Sequence, residues 1–265
     1  PLNVVERKIK KTVEKQFPGR HVIPARVANL TEPQPIHTEL GRGKCMARSE
    51  CARGCSFGAY YSSNSAALPA AQRTGNMTII ADAHVQEVIY DHQINKARGV
   101  RFINTKTNES VEVEARVVFM CASTVASIQI LLNSKSKRFP NGIGNDNDVL
   151  GRYIMDHCGG GGASGIMPGY TDDYYKGRRP GGVYIPRFRN FGEKSEKFLR
   201  GYGFQGGAGR AGWQRAKYNK GIGKSFKDSM TQPGQWNFTL WGFGESLPKY
   251  ENKISLHHSE TDKWG

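Results

Sequence analysis

The sequence has no long hydrophobic run. No uninterrupted apolar stretch in its 265 residues approaches the ~20 needed to cross a bilayer, so a membrane span is not expected. Cysteine is scarce: five residues, an odd number, too few to frame a disulfide scaffold in a chain this long. Acidic residues are also in short supply, 23 against 38 basic ones, giving a formal charge of +15. Such a balance makes nucleic acid the first partner to test, but the basic residues are scattered and short clusters such as Lys135–Arg138 lie in polar sequence, so no nucleic-acid partner is expected. Glycine is plentiful at 32 residues but has no three-residue period, which excludes collagen. Hydrophobic residues make up 37%, which points to a soluble, loop-rich globular chain. Pro1 stands where a Met would start a chain, and Asp262-Lys-Trp-Gly265 carries no helix cap or polar tail, so the sequence reads as an internal piece of a longer protein.

Leu2, Val5, Ile9 and Val13 recur at helical spacing, and Pro18-Gly19 predicts the helix end. Residues 21–44, with prolines at 24, 33 and 35, predict an extended loop, and Ser62–Arg73 a short capped helix. Met77–Ala81, Val85–Tyr90, Gly99–Asn104, Val111–Val113 and Val117–Cys121 are rich in β-branched residues and predict strands, the last feeding a helix over Val125–Asn133. After Gly151 the texture changes. Alternating segments at Val183–Phe188, Trp236–Phe243 and Lys253–His257 predict an antiparallel sheet with long loops, and a domain boundary near 150–158.

Three patterns bear on chemistry. Gly201-Tyr-Gly203-Phe-Gln-Gly206 matches the dinucleotide pattern G-x-G-x-x-G, yet no buried strand precedes it and Gly207-Ala-Gly209 follows it, so it reads as a glycine-rich turn or strand. Cys45, Cys51 and Cys55 fall within eleven residues; converging soft thiolates suit iron–sulfur or zinc, while the plainer alternative is reduced thiols in a loop. Asp156-His157 reads as a structural pair or as neighbours of an interdomain cleft. His257-His258 would point to opposite faces of a strand and is read as structural or surface.

The stretch from Gly41 to His157 resembles the glucose–methanol–choline (GMC) family of flavin oxidoreductases. The resemblance is carried by Gly54-Cys-Ser-Phe-Gly-Ala59, Thr74-Gly-Asn76, Ala83-His-Val85-Gln-Glu-Val88, Gly99-Val-Arg-Phe, Ala115-Arg-Val-Val-Phe-Met-Cys-Ala-Ser123, Ile130-Leu-Leu-Asn-Ser134 and Leu150-Gly-Arg-Tyr-Ile-Met-Asp-His157, in that order. Later segments, among them Gly177-Arg-Arg-Pro180, Arg200-Gly-Tyr-Gly-Phe-Gln-Gly206 and Gly244-Glu-Ser-Leu-Pro248, are similar to a bacterial sugar- or glycoside-oxidising branch. The resemblance implies an α/β plus α+β chain: residues 1–150 the late part of an FAD-binding domain with a cysteine-containing loop at 45–55, and residues 151–265 a substrate-binding domain on an antiparallel sheet, incomplete at its C-terminus. It implies FAD contacts from Ala83 and Val85 on the adenine side and from Ala122 and Ser123 near the flavin nucleotide. It also makes Cys45, Cys51 and Cys55 similar to the iron–sulfur site of some bacterial sugar dehydrogenases.

The expected reaction is oxidation of a sugar or glycoside CH–OH group by hydride transfer to FAD, with a dehydrogenase favoured over an oxidase. Electrons would leave to an external acceptor or a small partner subunit, in a bacterial cytoplasm or periplasm. Gln205, Arg210 and Trp213 are the expected substrate contacts, because planar hydrogen-bonders and aromatic rings suit sugar faces. The family's diphosphate-binding glycine loop and its catalytic base are not expected within this sequence; the base would lie beyond Gly265, with Asp156 and His157 at most supporting it. The chain alone is therefore expected to be inactive. Two other classes remain open from sequence: a non-catalytic basic binding protein and a zinc-stabilised structural module.

Overall fold

A computed structural model describes residues 2–48, 51, 54–171, 181–192, 194, 197–257 and 259–264. The motif Gly177–Pro180 and His258 lie outside the described residues. The chain folds as two compact units that interleave along the sequence: residues 1–77 with 157–245, and residues 78–156 with 246–265. This differs from a simple division at 150/151. Residues 23–24 pair with the strand at 183–185 and the helix at 4–16 packs on the strands after 203, while the last twenty residues return to the second unit.

In the first unit, helix α1 (Val4–Gln16) starts at a capping box: Asn3 Oδ1 accepts from Glu6 N and Glu6 Oε2 accepts from Asn3 N, both at 2.9 Å. It ends before Pro18, and Gly19 takes φ +78°, where a side chain would be strained. The two-residue strand β1 (Ile23–Pro24) and the single helical turn α2 (Pro35–Thr38) interrupt an otherwise irregular stretch. Ser62 and Ser65 cap each other at the start of a wide turn over Ser63–Ala67 that runs into α3 (Leu68–Arg73).

The second unit begins with β2 (Ala83–Asp91), β3 (Lys96–Asn104) and β4 (Ser110–Glu114), an antiparallel meander. Its inward residues include buried Val88 and Phe102, while Arg101 bridges Glu87 and Glu112 on the other face. Helix α4 (Thr124–Asn133) packs on β2. Its C-terminal neighbour Ser134, 1% exposed, accepts from Val88 N at 2.8 Å and donates to Ile130 O at 2.6 Å. Ser134→Ala is expected to cost about 2 kcal/mol, since it leaves a buried strand N–H unpaired. Urea unfolding measures it, and a loss below about 0.5 kcal/mol would show that the serine does not tie helix to sheet.

The remaining strands belong to the first unit: β5 (His157–Met167), β6 (Val183–Ile185), β7 (Gly203–Arg210) and β8 (Trp236–Glu245), with helix α5 (Gly223–Thr231) between the last two. They form an antiparallel sheet in the order β1-β6-β7-β8-β5. Alternation sorts its faces: Val183, Ile185, Ala208, Trp236 and Phe238 join Val5 and Val22 in one core, onto which α1 packs. The glycine pattern at 201–206 runs into β7, with no helix after it. Gly206 is required there, because a Cβ would lie 1.8 Å from the Thr239 carbonyl oxygen of β8.

Three predicted strands do not form. Residues 77–81 and 117–121 run extended without ladder partners, leaving Ile79, Ile80, Val117 and Phe119 exposed, the last by 82%. Their β-branched composition suits a strand, but a strand exists only where a second backbone supplies its hydrogen bonds. Residues 253–257 likewise make only isolated bonds, such as Ile254 N to Gly151 O at 2.8 Å. β6 stops at Ile185 because Pro186 cannot donate to a ladder. Among the described residues every named strand pairing is antiparallel, so the α/β expectation for the first half takes the form of helices with antiparallel sheets. Residues 246–265 are tied to their unit by Tyr250, whose hydroxyl donates to Asp148 Oδ2 at 3.0 Å and whose ring lies under Arg152. Arg152 and Tyr250 together hold the Asp148 carboxyl below its ordinary value.

Candidate functional site

The first unit carries a cavity of about 960 Å³ on the sheet face opposite α1. Register makes it: Tyr184 pairs with Gln205 and Gln205 with Trp241, so three polar or aromatic side chains form one row across β6, β7 and β8. Phe243, two residues beyond Trp241 on the same face, extends the apolar part, and Tyr60 and Cys51 reach the cavity from the cysteine loop. A planar amide flanked by a phenol and an indole can hydrogen-bond hydroxyls while stacking on the C–H face of a ring. Gln205 therefore lies in this cavity, whereas Arg210 and Trp213 do not line it. The Arg210 guanidinium donates to the carbonyls of Gly234, Thr171 and Pro233, a backbone-organising use. Trp213 is exposed at the start of the turn after β7. Tyr184 and Trp241 were missed in the sequence, where nothing but strand alternation marks them.

The cysteine loop borders the same cavity. Cys45 and Cys51 each face the Asn29 side chain, whose Nδ2 lies 3.4 Å from the first sulfur and 3.8 Å from the second. Cys55 sits differently. The backbone N–H of Tyr60 holds its thiol below the ordinary value, against the opposing effect of burial and with help from the N–H groups of Phe57, Ala59 and Gly58. A sulfur surrounded by amide donors is stabilised as thiolate, the form that binds metal. Among the described residues no three Cys, His, Asp or Glu side chains converge closely enough to hold a single metal ion. Cys121 and Cys158 are exposed and stand apart from this loop in sequence.

A second cavity, about 400 Å³, lies in the other unit. It brings together Val85 of β2 and Ala122, two of the four expected FAD contacts, with Val100, Val113, Phe119 and Ile130 around them. Its lining residues are all apolar apart from the Cys121 thiol, which suits an apolar ring system; they offer no basic side chain to a diphosphate. Ala83 is half-buried on β2, and Ser123 is exposed at the start of α4 with φ +86°. Asp156 and His157 fall on either side of the break between the units. The His157 ring stacks edge-on against Phe243 at 5.4 Å, and the Asp156 carbonyl accepts from Ser246 N. His257 Nδ1 accepts from Glu260 N at 3.0 Å, a structural use.

Comparison with known proteins adds the following. The profile of a family described as GMC oxidoreductase matches residues 26–158, half of the chain. The chain is 29% identical over 175 residues to the 2-methyl-1,2-propanediol dehydrogenase of Mycolicibacterium austroafricanum, covering 64% of this chain and 31% of that protein. It is 26% identical over 230 residues to the fructose dehydrogenase large subunit of Gluconobacter japonicus, covering 85% of this chain and 40% of that one. The chain thus matches less than half the length of either curated relative.

Proposed function

The chain belongs to the GMC oxidoreductase family, and from that premise we propose that it is part of an FAD-dependent dehydrogenase that oxidises a CH–OH group of a sugar or glycoside. The observation that carries the reading is the row Tyr184–Gln205–Trp241 over the 960 Å³ cavity. Its relatives are, by name, dehydrogenases of a diol and of fructose, which supports an oxidation of hydroxyl groups rather than another chemistry. In this proposal Gln205 hydrogen-bonds substrate hydroxyls and Trp241 and Tyr184 hold a ring face, excluding water from it. Val85 and Ala122 line the apolar pocket; in this proposal Ala83 and Val85 meet the adenine side of FAD and Ala122 and Ser123 lie near the flavin nucleotide, where small side chains let the ligand approach the backbone. FAD, when bound, supplies the hydride acceptor. The proton-accepting base is placed outside this chain.

Cys45, Cys51 and Cys55 are proposed as ligands of an iron–sulfur cluster, which would carry electrons onward. That one relative is named as a large subunit supports a partner subunit as the place to which they go.

The test uses the full-length protein. Anaerobic addition of sugars and polyols is expected to bleach the flavin absorbance, and Gln205→Ala to raise KM about tenfold with flavin content unchanged, the equivalent of one hydrogen bond. Purified without oxygen, the protein is expected to contain iron and acid-labile sulfide, which Cys45→Ser and Cys55→Ser each abolish. No bleaching by any sugar or polyol would overturn the substrate reading. Zinc in place of iron would turn the cysteine loop into a structural site.

A further inference from the structure

We infer that Arg26 makes the cavity over the Tyr184–Gln205–Trp241 row select sugars that carry an anionic group, a carboxylate or a phosphate. The inference rests on the reading of that row as the place where sugar hydroxyls are held. Among the described residues that line the cavity, Arg26 is the sole arginine, lysine, histidine, aspartate or glutamate. Among the described residues its guanidinium has no hydrogen-bond or ion-pair partner. Arg42, Arg210 and Arg215 of the same unit, by contrast, spend theirs on backbone carbonyls. An unspent guanidinium in the wall of a cavity is open to a ligand. Its planar fork of N–H donors matches the paired oxygens of a carboxylate or phosphate.

Backbone bonds on both sides fix Arg26 in that wall. Ala25 N donates to Gly182 O at 2.9 Å, and Ala28 O accepts from Tyr61 N at 2.9 Å. The first bond continues the pairing of β1 with β6; the second ties the chain to the segment that carries Tyr60, itself in the cavity wall. Ile23 pairs with Tyr184, so β1 extends the row by one strand. It therefore lies two strand spacings, about 10 Å, from β7. A sugar ring on Gln205 and an arginine side chain together bridge such a gap. Gly181, Gly182 and Gly206 line the cavity with bare backbone, which leaves the gap open. The formal charge of +15 attracts anions generally, and Arg26 makes that attraction local to the cavity.

The experiment measures kcat/KM of the full-length protein for glucose, glucuronate, gluconate and glucose 6-phosphate, as wild type, Arg26→Gln and Arg26→Lys, at low and at moderate ionic strength. The wild type is expected to favour an anionic sugar over glucose, and the carboxylate and phosphate arms identify which anion it takes. Arg26→Gln is expected to lower that preference about tenfold, through KM, the worth of one charge-assisted hydrogen bond. Added salt should erode the preference in wild type and much less in Arg26→Gln. Arg26→Lys keeps the charge without the fork and is expected between the two, so the comparison survives a Gln variant that folds poorly. A wild type that favours glucose, or a preference untouched by Arg26→Gln and by salt, would overturn the role of Arg26 and leave the sugar reading in place. No turnover of any sugar or polyol would overturn the sugar reading, and this inference with it.

Discussion

Trp236→Ala is expected to lower the stability of the unit formed by residues 1–77 and 157–245 by about 4 kcal/mol, the ordinary cost of emptying a large aromatic site in a core. Trp236 is 1% exposed at the start of β8, in one cluster with Val5, Val22, Val183, Ile185, Ala208 and Phe238. Four strands and α1 meet around it, so its removal leaves a cavity that no single element can collapse into. Its indole N–H also donates to Tyr170 O at 3.1 Å. Trp236→Phe keeps most of the volume and loses that bond, and is expected to cost about 1–2 kcal/mol. Trp241→Ala supplies the control. It changes the same residue type on the same strand but on the cavity face, where the indole is 61% exposed, and should change stability by no more than about 0.5–1 kcal/mol. Urea unfolding followed by circular dichroism separates the three variants. Equal losses at 236 and 241 would mean that the two faces of the sheet are not distinguished as the register requires.

Glu6→Ala is expected to cost about 3 kcal/mol and to loosen the docking of α1 on the sheet. Glu6 is 0% exposed, an unusual place for a carboxylate, and its two oxygens explain it. Oε2 closes the capping box on Asn3 N, and Oε1 accepts from Ala208 N of β7 at 3.2 Å. Asn3 completes the arrangement by donating Nδ2 to Ala208 O at 2.8 Å. Alanine at position 6 would strand two buried backbone N–H groups and open a void beneath Gly207, whose absent side chain is what admits the carboxylate. Glu6→Gln keeps an acceptor in nearly the same volume and should lose only about 1 kcal/mol. Hydrogen exchange gives the local readout: the Ala208 amide should exchange markedly faster in Glu6→Ala than in wild type, with the amides of β2–β4 unaffected. A destabilisation without faster exchange at Ala208 would place the effect of Glu6 within α1 alone.

How much of this was legible from residues varies with the distance over which each feature is held together. The α1 periodicity at 2, 5, 9 and 13, the stop at Pro18-Gly19, the Ser62 cap and the helix closed by Ser134 were readable because their hydrogen bonds close within a few residues. The β2–β3 pair was readable for the same reason, as its strands are joined by a short turn. The Gly41–His157 motifs pointed to a flavin oxidoreductase family, and the family match over 26–158 agrees. The strands at 77–81 and 117–121 failed for the opposite reason. Their composition is that of β2, but composition supplies no partner. β5 went unnoticed because Gly159–Gly162 carries no side-chain pattern, although pairing with β8 makes it a strand.

The cysteines were visible as a spacing and Gln205 as a composition. Residue type alone does not separate Gln205 from Arg210 as a substrate contact, since only the three-dimensional arrangement shows the guanidinium spent on three carbonyls. By itself the sequence determined the local elements, the basic charge, the family and the residue types that could serve a flavin, a sugar or a cluster. The tertiary structure decided which of them meet: that Glu6 is buried against β7, that Tyr184, Gln205 and Trp241 form a row, and that one amide, Asn29, faces two sulfurs. Each of those juxtapositions depends on backbone pairing between segments distant in the chain. Such pairing is settled by which unsatisfied N–H and C=O groups find each other on folding, a competition that no window of neighbouring residues encodes.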